Sequence, residues 1–142
     1  MKTKFSLKNK AAIITGGGSG IGKAIAETFS QQGALVHILD YDLESALETV
    51  EAIKANGFLA TAHHCDVANF EQVSDIISNI SSHTSVDILV NNAGVAHVGN
   101  IESCEEEDLD RLYNINIKGV FNCTKACISL MKTQNSGVIL NL

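Results

Sequence analysis

No run of this sequence approaches the ~20 apolar residues that a membrane-spanning helix requires. None of its four cysteines forms a CxxC pair, which removes the usual knuckle and redox spacings. Basic charge is also scarce: 10 Lys and Arg against 16 Asp and Glu give a net charge of −6. That balance disfavours a nucleic acid or a membrane surface as partner, since both prefer a basic face. Near the N-terminus the apolar AAIIT run is too short for a signal peptide and leads directly into glycines, so a cytoplasmic protein is expected. Proline is absent altogether, where average usage of about 5% would give roughly seven; nothing in the pattern accounts for that.

The cysteines read as small buried hydrophobes in a reducing compartment. Cys123 and Cys127 lie one helical turn apart, and His63-His64-Cys65 is a local cluster. Neighbouring strand residues point to opposite faces, however, and cannot converge on one ion. No metal site is expected. His97 reads as a surface-loop histidine.

Hydrophobic residues make up 45% of the 142 and charged residues 18%, the balance of one soluble globular domain spanning 1–142. Short runs rich in Ile, Val and Leu recur at 11–15, 35–39, 59–64, 87–91 and 138–142. Each of the first four is followed by a segment with helical spacing. The first helix should turn Ile21, Ala24, Ile25 and Phe29 inward and stop at Gly33. The second should start at Asp42 as N-cap, bury Leu43, Leu47, Val50 and Ile53, and end at Gly57. Asn69 should cap a third that buries Val73, Ile76, Ile77 and Ile80. Ser103-Cys104-Glu105-Glu106 reads as the capping box of a fourth, carrying Leu109, Leu112, Ile128 and Leu130. Strands apolar on both faces, alternating with helices, imply an α/β fold: a doubly wound parallel sheet of order 3-2-1-4-5.

The loop after the first strand is TGGGSGIG, Thr15 to Gly22. Glycines let a backbone turn sharply beside a ligand, and the following helix aims free N–H groups and its positive dipole end there. It is neither a strict GxGxxG fingerprint nor a Walker A loop, since no Gly-Lys-Ser/Thr follows. Asp40 closes the second strand roughly 20 residues on, where a dinucleotide fold places the acid for the ribose hydroxyls.

These motifs resemble the short-chain dehydrogenase/reductase family, and the likeness runs from Lys10 to Leu142. TGGGSGIG matches the family's TGxxxGxG, "CDV" supplies Asp66-Val67, NNAG stands at Asn91 to Gly94, and Asn116 opens "NIKGVF". The resemblance implies that Gly16, Ser19, Gly20, Ile21 and Gly22 line the cofactor phosphates. It implies further that Asp66 and Val67 bracket the adenine, and that Asn92, Ala93 and Gly94 lie beside the nicotinamide ribose. Asn91 is expected to be structural, and Asn116 to hold a water on the catalytic proton relay. The implied cofactor is NAD, because Asp40 would repel a 2′-phosphate. The implied substrate is a small alcohol or ketone, and the implied assembly a homo-oligomer.

The family's catalytic serine follows the fifth strand, and its YxxxK motif lies further on. Here Tyr41 and Tyr113 are followed at the fourth position by Ser45 and Ile117. The expectation is a fold truncated after the fifth strand, with the catalytic part belonging beyond Leu142. The chain alone should then be inert. The alternative is a short nucleotide-binding module without dehydrogenase activity.

Overall fold

A computed structural model of the protein describes residues 5–142. Five parallel strands form one sheet of order β3-β2-β1-β4-β5: β1 Ala11–Thr15, β2 Leu35–Asp40, β3 Ala60–His64, β4 Ile88–Asn91 and β5 Val138–Asn141. β1 sits at the centre, with Ile13 opposite both His37 of β2 and Leu89 of β4. Successive side chains of a strand face opposite ways, so Ile13 and Ile14 enter different halves of the core. Ile13 packs with Leu39, Leu89, Val73, Ile77 and Cys123. On the other face Ile14 packs with Val36, Ile38, Val90, Val50 and Ile53. This double burial is what an uninterrupted run of apolar strand residues requires.

The first half of the core lies under α3 (Phe70–Ser81) and α5 (Gly119–Gln134), the second under α1 (Gly20–Gln31) and α2 (Leu43–Ala55). Local chemistry sets the helix ends. Asp42 accepts from the Ser45 N–H, and Asn69 from the Gln72 N–H, at 3.2 and 3.1 Å, as N-caps do. Gly33 and Gly57 take positive φ angles of 95° and 84° and end α1 and α2, the left-handed step that favours glycine.

Several inward faces differ from the sequence expectation. In α1 the buried residues are Gly22, Ala26 and Ser30, while Ala24 is exposed and Ile21 is 68% exposed at the mouth of the glycine loop. In α2, Ala46 and Thr49 join Val50 and Ile53 inside, and Leu43 and Leu47 turn outward. Small residues take these places because the helices lie close against the sheet.

The expected fourth helix is two. α4 (Glu106–Tyr113) runs into a π-helical turn, Asn114–Lys118, and then into α5. Its start is also displaced. Asp108 reaches back to the Glu105 N–H at 3.1 Å, whereas the Ser103 hydroxyl serves a turn at Asn100. Leu109 is exposed rather than buried.

Candidate functional site

The C-terminal ends of β1, β2, β3 and β4 open on a groove of about 1000 Å³. Such a groove is the place where open α/β sheets bind ligands. Gly16, Ser19, Gly20 and Ile21 form one wall, Asp40 and Tyr41 the next. Asp66 and Val67 follow at the end of β3, then Asn92, Ala93 and Gly94 at the end of β4. Ten of the twelve site residues expected from the sequence thus face one space; Gly22 and Asn116 stand behind it.

The glycine loop is shaped for an anion. α1 begins at Gly20, and Ser19 precedes it with an extended backbone and a hydroxyl that makes no capping bond. A Cβ built on Gly20 would meet nothing within 4 Å, so this turn opens onto the groove rather than onto protein. The N-terminal N–H groups of α1 and the helix dipole are directed there. Gly22 acts differently, because a Cβ at that position would collide with the Gly16 carbonyl oxygen and with Asn92 Nδ2. It lets the helix close against the loop and lines nothing.

Asp40 carries the charge of the groove's second wall. One carboxylate oxygen accepts from the Gly18 N–H at 2.8 Å and the other from the Asp42 N–H at 3.0 Å. Each oxygen keeps further lone-pair capacity, so the acid is held in place without being used up. Asp66 is fixed similarly, accepting from the Ala68 N–H at 2.9 Å.

Both asparagines, Asn91 at the end of β4 and Asn92 just after it, brace the structure. Asn91 donates to Asn141 Oδ1 at 2.9 Å and to Thr124 Oγ1 at 3.2 Å. Asn92 donates to the carbonyls of Thr15 and Gly16, at 3.0 and 3.1 Å. Its amide group therefore ties the β4 loop to the glycine loop, and it faces the groove from that position. Asn116, in the π-helical turn, gives its whole side chain to Val95: Oδ1 accepts from the Val95 N–H and Nδ2 donates to the Val95 carbonyl, both at 2.8 Å. In this geometry it is a positioning residue for the loop after Gly94.

Some site residues carry little sequence signal. Thr15 is buried, and its Oγ1 accepts from the N–H groups of Asn92 and Ala93 at 3.0 and 2.9 Å. Glu107, Asp110, Arg111 and Asn114 also line the groove. Their spacing of i, i+3, i+4, i+7 marks one helix face and could have revealed them. Asn122, buried in α5, donates to the Val67 carbonyl at 2.8 Å. Beside it Gly119 brings the helix onto Val67, whose Cγ2 would lie 2.7 Å from an added Cβ.

The histidine and cysteine expectations divide. Burial, with the nearby Asp66 charge, pushes the Cys65 thiol up to about 12, and burial does the same to Cys127. These are inert core residues. His63 faces His37 across 3.2 Å, while His64 packs against Tyr41 with the rings tilted at 47°, so the adjacent pair diverges. His97 is not a free surface histidine: only 20% of its side chain is exposed, and its Nδ1 lies 3.4 Å from Asp108 Oδ1 in α4.

The family model for short chain dehydrogenases matches residues 10–142. The chain belongs to that family. It is 43% identical over 139 residues to an uncharacterized oxidoreductase of Thermotoga maritima, covering 97% of this chain and 55% of that protein. Identity to the (2S)-[(R)-hydroxy(phenyl)methyl]succinyl-CoA dehydrogenase subunit BbsD of Thauera aromatica is 37% over 139 residues, 97% of this chain and 56% of BbsD. Among solved structures, a 7α-hydroxysteroid dehydrogenase complexed with NADH and 7-oxoglycochenodeoxycholic acid superposes with a TM-score of 0.90 at 36% identity. That match covers 96% of this chain and 54% of the other. The chain spans about half the length of the relatives it matches. No described helix is long and apolar enough to cross a membrane.

Proposed function

We propose that this short chain dehydrogenase binds NAD(H) in the groove and serves hydride transfer between nicotinamide and the carbon of a small secondary alcohol or ketone. The observation that carries the reading is Asp40, anchored at the tip of β2 by the Gly18 N–H. Its carboxylate suits the two ribose hydroxyls and opposes a 2′-phosphate, a like-charge contact costing several kcal/mol where water is excluded. Among the described residues, the Lys or Arg in the groove lining is Arg111, on α4, which donates to the Ala96 carbonyl rather than flanking Asp40. The solved relative bound to NADH supports the same choice.

The chain's own residues would bind and orient the cofactor: the α1 N-terminus at the pyrophosphate, Asp66 and Val67 at the adenine, Asn92 to Gly94 at the nicotinamide end. The bound nicotinamide supplies the hydride chemistry. We place the protein in the cytoplasm, as a homo-oligomer. Titration with NADH and NADPH tests the reading. Tighter NADH binding is expected, and tighter NADPH binding overturns it.

A second reading, nucleotide binding without dehydrogenase chemistry, is the alternative that the tyrosines leave open. Tyr41 packs against His64 at a tilt, and Tyr113 precedes the π-helical turn; neither has a lysine four residues on. The coding sequence beyond Leu142 separates the two: an in-frame serine and YxxxK motif would support hydride transfer, and a stop codon would support this second reading.

A further inference from the structure

The loop after Gly94 and the first turn of α4 bring together three side chains that the groove does not use. His97, Cys104 and Asp108 offer one ligand atom each, all within 4.8 Å of one another. We propose that they form a divalent metal site selective for zinc. Nitrogen, sulfur and oxygen donors together suit a borderline-soft ion and not magnesium or calcium, which take oxygen. A thiolate and a carboxylate would balance the two positive charges, with His97 as the neutral third ligand and a water as the fourth.

Geometry separates this reading from an ordinary ion pair. A charge-assisted N–H···O bond closes to about 2.7–2.9 Å, but His97 Nδ1 and Asp108 Oδ1 stay 3.4 Å apart. Two ligands on one tetrahedral zinc, each about 2.0–2.1 Å from the metal, are separated by about 3.3–3.4 Å. Cys104 is half-buried beside them, its Sγ held no more firmly than by a 3.7 Å contact to the Glu105 carbonyl. A thiol rotation would bring it to the roughly 3.6 Å from the other donors that a Zn–S bond near 2.3 Å demands. A second feature concerns the far side of the imidazole: His97 Nε2 is buried with no hydrogen-bond partner. A ring nitrogen kept from water without a partner is costly. A metal at Nδ1 would leave Nε2 as it is but give the largely buried ring one strong bond on its other nitrogen, and Asp108 is already oriented for it by the Glu105 N–H.

Such a metal would fasten residues 97–104 to α4, the helix whose Glu107, Asp110 and Arg111 form a groove wall. The site would thus set how firmly that wall is held.

Zinc alone is the probe. Titrating the 142-residue chain against a chromophoric chelator should give one zinc per chain, and Cys104→Ser and His97→Gln should each weaken it by at least about 10-fold. Cobalt should give a thiolate charge-transfer absorption that the Cys104→Ser protein lacks. Far-UV circular dichroism unchanged by either substitution keeps lost binding distinct from lost folding. Absence of stoichiometric binding at micromolar zinc, or equal binding by all three proteins, overturns the site. These readouts do not depend on NAD(H) binding.

Discussion

At the scale of single residues, the buried pair His37 and His63 carries a pH dependence that hydrophobic pattern alone does not announce. His37 is 8% exposed in β2, its Nδ1 faces His63 Nε2 at 3.2 Å, and its own Nε2 has no partner. Burial, reinforced by the neighbouring His63, lowers its pKa from 6.5 to about 4. His63 is lowered as well, by burial. The unfolded chain therefore takes up a proton near pH 6.5 that the folded chain refuses until about pH 4. Stability from this group is complete above pH 6.5 and declines as the pH falls through that window. Between about pH 7 and pH 4.5 the loss from His37 should be about 2 kcal/mol. Urea unfolding at the two pH values measures it, and His37→Leu should show a correspondingly smaller difference; an equal difference in the variant would remove His37 as the cause. His37 reads as an ordinary strand residue because LVHIL is otherwise apolar, and only its cross-strand neighbour reveals the titration. Asp40 is legible for the opposite reason: it stands at a strand end, a fixed distance from the glycine loop, where position in the chain determines position in the groove.

At the scale of elements, strands and caps are readable in the sequence and the π-helical turn is not. AAIIT and LVHIL can only be buried strands, because runs this short and this apolar end in a glycine turn or an acid. Asp42 and Asn69 cap where expected because a single side chain bonding a local N–H decides the matter. The turn at Asn114–Lys118 inserts one residue's worth of slack into a helix whose apolar spacing runs on through it, so the 3.6-residue pattern hides it. That same pattern points Ile21 and Leu47 inward. It registers hydrophobicity, whereas the sheet's closeness to α1 and α2 selects Gly22, Ala26 and Ala46. The π-helical turn matters to the site because it presents Asn116 to Val95. Asn116→Ala removes two 2.8 Å bonds and leaves the Val95 N–H and carbonyl without them. The expected cost is about 1–3 kcal/mol of stability, with hydrogen exchange of the Val95 amide accelerated. Unchanged exchange at Val95 would show that the loop is held by something else.

At the scale of the whole molecule, the two edges of the sheet differ. β3 forms one edge and packs against α2, while β5 forms the other, with Val138 and Leu140 at 60% and 42% exposure and Leu142 just after it at 66%. No charge or proline in VILN blunts that edge, as natural edges are usually blunted. On the neighbouring helices, Leu109, Tyr113, Ile117 and Phe121 recur at four-residue steps and are all more than half exposed, and Ile128 continues the stripe at 43%. Spacing of this kind marks one continuous helix face, and a span of about 20 residues is about 30 Å long at roughly 1.5 Å per residue. Isolated exposed leucines need no explanation, but a contiguous stripe does. A second copy of the chain offers the same stripe, so a two-fold pairing is self-complementary without any further partner. Burial on each copy of the roughly 800 Å² typical of a stable interface would be strongly favourable at about 25 cal/mol per Å², before the cost of association. Multi-angle light scattering at tens of micromolar protein should therefore report a mass above 15.1 kDa. Phe121→Glu and Ile117→Glu place a charge at the centre of the stripe and should shift the population towards monomer, with far-UV circular dichroism unchanged. A monodisperse monomer of the unaltered chain would mean that the stripe and the β5 edge are tolerated by water, and the proposed homo-oligomer would fall with it.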